Sequence, residues 1–130
     1  KELIKENLLS QIPHGNLSHW VDQGVFLLNT ILTVEAQKPM SHANLGWEIF
    51  TTSCLKYLAT KRENLVFMLW GNKAQSISKF IPKDLGHLIL MAPHPSPLSA
   101  HRGFLGCGHF QKANEFLRKL GKDPVDWEIR

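Results

Sequence analysis

Three short runs of consecutive apolar residues stand out along the chain, at residues 24–29, 65–70 and 87–91. None of them alternates apolar with polar positions. An uninterrupted apolar run of this length is typical of a strand that is covered on both of its faces. We therefore predict three buried β-strands.

Elsewhere the apolar residues recur every three or four positions, which is the spacing of an amphipathic helix. This pattern predicts helices at residues 1–11, 44–59 and 109–120, and one or two helical turns at residues 74–80. Gly121 follows the last of these helices at the position where a glycine commonly ends a helix.

Buried strands separated by helices predict an α/β fold, in which a parallel sheet is flanked by helices on both faces. Ligands of such sheets bind beyond the carboxyl ends of the strands. Three segments follow strand ends in this chain, and they are the residues from Asn29 onwards, the pair Gly71-Asn72 and residues 92–99. We expect the functional site at this edge.

Composition is that of one ordinary globular domain over residues 1–130, with 43% hydrophobic and 20% charged residues. Fifteen basic and eleven acidic residues give a net charge of +4, which permits a polyanionic partner without requiring one. Cys54 and Cys107 have no paired spacing and are predicted to be free thiols. No apolar run is long enough for a membrane span, so no membrane association is expected.

Residues 94–99 read His-Pro-Ser-Pro-Leu-Ser, directly after the third apolar run. Two prolines in six residues prevent a helix and make the segment stiff. A stiff loop that carries a histidine, two serines and a leucine at the functional edge is a candidate binding element.

Three segments together resemble the uracil-DNA glycosylase family. They are residues 24–34 (Gly-Val-Phe-Leu-Leu-Asn-Thr-Ile-Leu-Thr-Val), residues 69–75 (Leu-Trp-Gly-Asn-Lys-Ala-Gln) and residues 94–104 (His-Pro-Ser-Pro-Leu-Ser-Ala-His-Arg-Gly-Phe). The resemblance covers nearly the whole chain in the same order. It implies hydrolysis of the N-glycosidic bond of uracil in DNA, after the nucleotide has been flipped out of the helix.

The resemblance also implies roles for individual residues. His94 matches the histidine that donates a hydrogen bond to the uracil oxygen as negative charge builds on the departing base. Asn29 matches the residue that reads the uracil edge with its amide. Leu98 matches the apolar wedge that fills the gap left by the flipped nucleotide.

Phosphate contacts are implied for Ser96 and Ser99, and for Gly71 and Asn72 on the neighbouring loop. Most family members have serine at position 72, where this chain has asparagine. Arg102 matches an arginine that contacts DNA, although a solvated surface charge is an equally good interpretation of that residue alone.

One family motif, Gly-Gln-Asp-Pro-Tyr-His, does not occur in this sequence. Its aspartate positions the attacking water in the family. In the family the part that carries it also supplies a central strand of a four-stranded sheet. We therefore expect the chain to be the C-terminal portion of a glycosylase domain that is incomplete at its N-terminus, and we expect the isolated chain to be catalytically incomplete.

By the same resemblance, the partner is uracil-containing DNA, and acidic DNA-mimicking inhibitor proteins are further candidates. The full-length protein is expected to be an intracellular monomer that needs no cofactor. Its expected location is the nucleus or mitochondrion in a eukaryote, or the cytoplasm in a bacterium.

Two other interpretations stay open from the residues. The chain could be a non-catalytic DNA-binding module that keeps the wedge and the phosphate contacts. His94, His101, Cys107 and His109 fall within sixteen residues and could suggest zinc, but their spacing matches no standard finger, and we predict no metal site.

Overall fold

The structure is a computed structural model, which describes residues 2–6, 14–28, 36, 46–96 and 99–129. Its helices are α1 (Glu2–Lys5), α2 (Ser18–Asp22), α3 (Trp47–Lys61), α4 (Asn72–Gln75) and α5 (His109–Lys119). Its strands are β1 (Val66–Trp70) and β2 (Leu88–Ala92), and 3₁₀ turns lie at Ser76–Phe80 and Ala100–Arg102.

The two strands pair in parallel, with Val66 opposite Leu88 and Trp70 opposite Ala92. Both carboxyl ends therefore lie at the same edge of the sheet. Helix α4 and the following 3₁₀ turn form the start of the crossover between the strands, as a parallel connection requires. The predicted α/β class with a parallel sheet is confirmed.

Side chains of β1 enter two separate hydrophobic clusters, one on each face of the sheet. Val66, Met68 and Trp70 pack against a cluster that is built from α2, α5 and the C-terminal segment around Trp127. Phe67 and Leu69 belong to the other cluster, beside Ala59 of α3 and Ile81. Burial on both faces explains why this strand lacks an alternating sequence pattern.

The predicted strand at residues 24–29 is wrong for the part that the structure describes, because residues 25–28 carry no regular secondary structure. The backbone N–H groups of Gly24 and Val25 donate instead to carbonyls of α2, Val21 O and Trp20 O. Phe26 and Leu27 are 64% and 51% exposed, while Val25 is half-buried against the cluster around Trp20, so this apolar run is only partly buried. Residue 29 lies outside the described residues.

Helices α3 and α5 confirm the predicted helices at residues 44–59 and 109–120, apart from small shifts at their ends. Helix α1 confirms the start of the predicted helix at residues 1–11, of which residues 1 and 7–11 are not described. Helix α4 and its 3₁₀ turn confirm the helical turns predicted at residues 74–80. Helix α2 was not predicted, since it is five residues long and buries only Trp20.

The C-terminal segment is fixed by side chains rather than by secondary structure. The amide of Asn114 bonds both backbone groups of Val125, each at 2.9 Å. The indole Nε1–H of Trp20 donates to Trp127 O at 3.1 Å. Residues more than one hundred positions apart are thus tied together. No helix in the described ranges combines the length and the apolar character needed to cross a bilayer.

Helix α5 ends as its sequence predicts. Gly121 has φ +72°, its N–H donates to Arg118 O, and the next N–H, of Lys122, donates to Leu117 O. These two bonds define a Schellman motif, in which the residue with positive φ is best a glycine.

Replacing Gly121 with alanine isolates the cost of this backbone conformation. A Cβ atom at Gly121 would meet no atom of the described residues within 4 Å, and the same is true of Gly15, which lacks a positive φ. We expect Gly121→Ala to lower the free energy of unfolding by about 1 kcal/mol, and Gly15→Ala to leave it unchanged or slightly raised. Urea denaturation of both variants measures the difference. Equal effects would show that the positive φ is not maintained in solution.

Candidate functional site

The carboxyl edge of the sheet is closed by a backbone contact that continues the strand pairing. The N–H of Gly71 donates to Ala92 O at 2.9 Å, and Gln75 Nε2 donates to the same oxygen at 2.9 Å. Gly71 has φ +91° and ψ 163°, a combination that is essentially restricted to glycine. This conformation turns the chain sharply from β1 into α4, beside the loop that follows β2.

His94 lies directly against this turn. A Cβ atom at Gly71 would come within 3.3 Å of the His94 Cβ and 3.5 Å of its ring Cδ2. Only a residue without a side chain therefore allows the two loops to approach so closely. The structure brings Gly71 and His94 together, as expected from their positions after neighbouring strands.

The loop after β2 is held by hydrogen bonds among its own residues. The N–H of Ser96 donates to Nδ1 of His94 at 3.0 Å, and the hydroxyl of Ser99 donates to the His94 carbonyl at 2.8 Å. The hydroxyl oxygens of Ser96 and Ser99 lie 3.1 Å apart. Pro95 further limits the backbone directly after His94.

This bonding pattern fixes the form of the His94 ring. Because Nδ1 accepts a hydrogen from a backbone N–H, it carries no proton, and Nε2 carries the ring proton instead. His94 is exposed to solvent. The loop therefore presents Nε2–H of His94 as a hydrogen-bond donor.

A buried aromatic group supports the loop from below. Phe104 is buried, and its ring packs edge-on against Trp70 with the centroids 4.9 Å apart. The indole Nε1–H of Trp70 donates to Nδ1 of His109 at 2.9 Å. Burial, and secondarily the positive charge of Lys112, lowers the pKa of His109, so this second histidine stays neutral inside the protein.

The described residues at this edge thus include His94, Ser96, Ser99, Gly71, Asn72 and Arg102. Asn72 begins α4 and is exposed, and Arg102 is exposed at the end of a 3₁₀ turn. The N–H of Arg102 donates to Ser99 O at 2.9 Å, which joins its turn to the loop. The other two predicted site residues, Asn29 and Leu98, lie outside the described residues.

Sequence reasoning missed two buried carboxylates next to this region. Glu2 and Glu6 of the N-terminal segment are 3% and 7% exposed and lie at the start of α5. The sequence gives only an indirect sign of these two acceptors. Gly108, the residue just before α5, offers no capping side chain, so the first N–H groups of the helix need acceptors from elsewhere.

Burial, together with the neighbouring Glu2, raises the pKa of Glu6 from 4.5 to about 7. In the described ranges, the group of side chains that could approach a metal is Glu2, Glu6 and Cys107, with ligand atoms within 4.8 Å of one another. This group shares only Cys107 with the four residues considered for zinc in the sequence. In that earlier set, Nδ1 of both His94 and His109 already accepts a hydrogen bond.

The fold and the edge define a class of protein, an α/β domain that presents a histidine on a hydrogen-bonded loop beyond its parallel strands. The profile of the Uracil DNA glycosylase superfamily matches residues 3–118. The chain belongs to this superfamily.

Individual relatives agree with this assignment. A uracil-DNA glycosylase of Tolumonas auensis is 55% identical over 130 residues, and one of Glaesserella parasuis is 57% identical over 127. The matches cover 99% and 97% of this chain, but only 58% and 57% of the relatives. The chain therefore spans little more than half the length of these curated relatives.

Solved structures give the same picture. The crystal structure of mimivirus uracil-DNA glycosylase superposes with a TM-score of 0.91 at 30% identity, over 98% of this chain and 52% of that one. A mimivirus UNG variant solved in complex with UGI superposes with a TM-score of 0.88 at 29% identity, over 98% and 53% of the two chains.

The contact between Gly71 and His94 predicts a specific effect of a methyl group. Gly71→Ala is expected to displace the His94 ring and to lower the free energy of unfolding by about 1–3 kcal/mol through backbone strain. Gly46→Ala is the matched control, because Gly46 also has a positive φ, +87°, but no atom of the described residues lies within 4 Å of its Cβ position. NMR shifts of the His94 ring should change in the first variant alone. Unchanged shifts in both would contradict the close approach.

Glu6 predicts a pH dependence of stability. Its folded pKa lies above the ordinary value, so the folded state holds this proton while the unfolded state releases it, and stability falls as pH rises from 4.5 to about 7. Glu6→Gln should remove that part of the decline. The free energy of unfolding of the variant should therefore increase relative to that of the wild type as the pH rises. Urea denaturation at pH 5, 6 and 8 measures this. A constant difference across that range would contradict the raised pKa.

Proposed function

We propose that this chain supplies the base-binding and DNA-contact part of a uracil-DNA glycosylase. The observation that carries the proposal is the hydrogen bond from the Ser96 N–H to Nδ1 of His94, which leaves Nε2–H as the donor of an exposed ring. A fixed donor of this kind stabilises a departing uracil anion without transferring a proton. Family membership supports the choice of reaction.

In this proposal, the residues at the sheet edge have separate roles. Nε2 of His94 donates to the uracil oxygen as the N-glycosidic bond breaks. Asn29 reads the base edge and Leu98 fills the space that the flipped nucleotide leaves. The side chains of Asn72 and Ser96 contact phosphates. The N–H of Gly71 already donates to Ala92 O, so Gly71 contributes through its close approach to His94 and not as a phosphate donor.

The structure suggests that the two loop serines are not equivalent. The hydroxyl of Ser99 donates to the His94 carbonyl, so it can donate to a phosphate only by breaking that bond. Because a hydroxyl has one proton, Ser96 is then the donor in the 3.1 Å contact between the two hydroxyls. Either serine must exchange a bond within the loop for a phosphate contact, and Ser96 gives up the longer of the two bonds while Ser99 supports the loop.

The attacking water needs a positioned base, which in the family comes from the Gly-Gln-Asp-Pro-Tyr-His segment. Because this segment does not occur in the sequence, a second candidate function is a non-catalytic module that binds uracil-containing DNA. The two candidates share the DNA contacts and differ only in turnover.

Uracil release from a single-stranded oligonucleotide separates them. The chain is assayed alone and with the portion of the Tolumonas auensis relative that lies outside its match to this chain. We expect release only in the second case, and binding, measured by fluorescence anisotropy, in both. Binding without release under either condition would favour the non-catalytic module, and release by the chain alone would require a different water-positioning group.

Variants of two neighbouring histidines test the role of His94 in the complemented assay. His94→Ala should reduce the rate of release by about 10²–10³-fold, the loss typical of removing one preorganised donor, with little change in DNA affinity. His101→Ala is the control, because His101 is exposed on the same segment and no role is assigned to it. Equal losses from both changes would point to general disruption of the loop rather than to donation by His94.

A further inference from the structure

Helix α5 begins at the end of the segment that follows the His94 loop, and it begins without a cap of its own. Its first residue, His109, follows Gly108, and the side chain at position 108 cannot accept a hydrogen bond. The first N–H groups of a helix are left without acceptors inside the helix and must be satisfied from outside. Here the acceptors come from α1 and from the residue that follows it.

Glu2 supplies the first part of this remote cap. Its carboxylate accepts hydrogen bonds from the backbone N–H groups of Gly106 and Gly108, the latter at 3.1 Å. These glycines lie between Arg102 and α5. The turn at residues 106–108, which follows the loop from His94 to Arg102, is therefore anchored on this one carboxylate. Bonds between backbone N–H groups and an ionised acceptor are stronger than neutral ones.

Glu6 supplies the second part. Its Oε2 accepts from the N–H of Gln111 at 2.9 Å, and its backbone carbonyl accepts from the Gln111 side chain. Its other oxygen, Oε1, is buried and has no hydrogen-bond donor within the described part of the chain. A carboxylate oxygen of Glu2 lies within 4.8 Å of a carboxylate oxygen of Glu6. A proton on Glu6, shared with Glu2, satisfies that oxygen and relieves the repulsion between two buried carboxylates.

Several charged or titratable groups adjoin this pair. Cys107 lies within 4.8 Å, and burial raises the pKa of its thiol, so it is uncharged. The negative charge of Glu2 acts to raise the pKa of His109, but burial lowers it by more, so the ring stays neutral. The Lys112 side chain reaches the start of α5 beside Gly108. Among the titratable groups named here, all of which lie in the described ranges, Glu6 is the one whose charge changes near neutral pH.

We propose that Glu2 and Glu6 are positioning residues for the DNA-contact segment, holding the turn at residues 106–108 in place through a carboxylate pair that shares one proton. The inference deepens the proposed function and rests on it for its effect on DNA. When Glu6 loses its proton, two negative charges face each other and the contact to the turn weakens. The loop from His94 to Arg102 then becomes less well positioned, and DNA binding weakens above about pH 7.

Two chemically identical changes should have opposite effects. Glu6→Gln keeps an oxygen acceptor for the Gln111 N–H and mimics the protonated acid, so the turn should stay in place at every pH. Glu2→Gln replaces the ionised acceptor of two N–H groups with a neutral amide, so the turn should loosen at every pH. Glu115→Gln on the exposed side of α5 is the matched control.

The experiment follows two readouts on the same chain between pH 6 and 8, in buffer containing EDTA. Anisotropy measures the Kd for a uracil-containing oligonucleotide. Amide hydrogen exchange, corrected for its intrinsic pH dependence, reports opening of residues 100–108 without DNA. We expect the Kd of the wild type to rise between pH 6 and 8, and this rise to be about threefold larger than the rise for Glu6→Gln. A threefold difference corresponds to a change of half a unit in one pKa on DNA binding.

In the exchange measurement, opening of residues 100–108 should increase with pH in the wild type and in Glu115→Gln, but not in Glu6→Gln. The same pH dependence in the wild type and Glu6→Gln, for both readouts, would overturn the proposal. So would a pH effect that appears only after EDTA is removed, because a cation at Glu2, Glu6 and Cys107 would then hold the turn. If the wild type binds no DNA at either pH, the proposed function fails. The exchange data alone would then decide whether the carboxylate pair positions the turn.

Discussion

The parallel pairing of β1 with β2 is the interaction on which the remaining structure depends. Its last hydrogen bond, from Gly71 N–H to Ala92 O, extends the pairing one residue past the end of β1. That bond fixes the distance between the two loops that leave the sheet, and the absence of a side chain at Gly71 lets His94 occupy the remaining space. The position of His94 therefore depends on the backbone geometry at Gly71, and the bond from the Ser96 N–H to Nδ1 selects the ring nitrogen that can donate.

Rigidity at this edge comes from three sources that act on different scales. Prolines limit the backbone of the loop, the two serines bond within it, and the Trp70–Phe104 contact supports it from the core. Such a preorganised donor does not need to reorient as charge develops on a leaving group, which is where electrostatic catalysis gains most. The carboxylates of Glu2 and Glu6 accept hydrogen bonds from the turn that leaves the loop and from the start of α5.

Much of the fold could be predicted from the sequence, because β1 and the two long helices carry strong local signals. Residues 24–28 show the limit of such signals. Their apolar run is typical of a strand, but the N–H groups of Gly24 and Val25 are taken by α2, a five-residue helix that leaves almost no periodic pattern. The contact between Gly71 and His94 could be anticipated from strand ends. The cap on α5 could not, since its acceptors lie more than one hundred residues away.

The long-range contacts have a kinetic consequence. Trp20 bonds Trp127 across 107 positions, and Glu2 bonds Gly108 across 106. Closing loops of this length costs conformational entropy before any contact compensates for it. Such contacts therefore form late, and they raise the contact order of the fold. We infer that the sheet with α3 can assemble from nearer neighbours, while the two ends of the chain meet last. The candidate site, which adjoins that junction, would acquire its final geometry only at the close of folding.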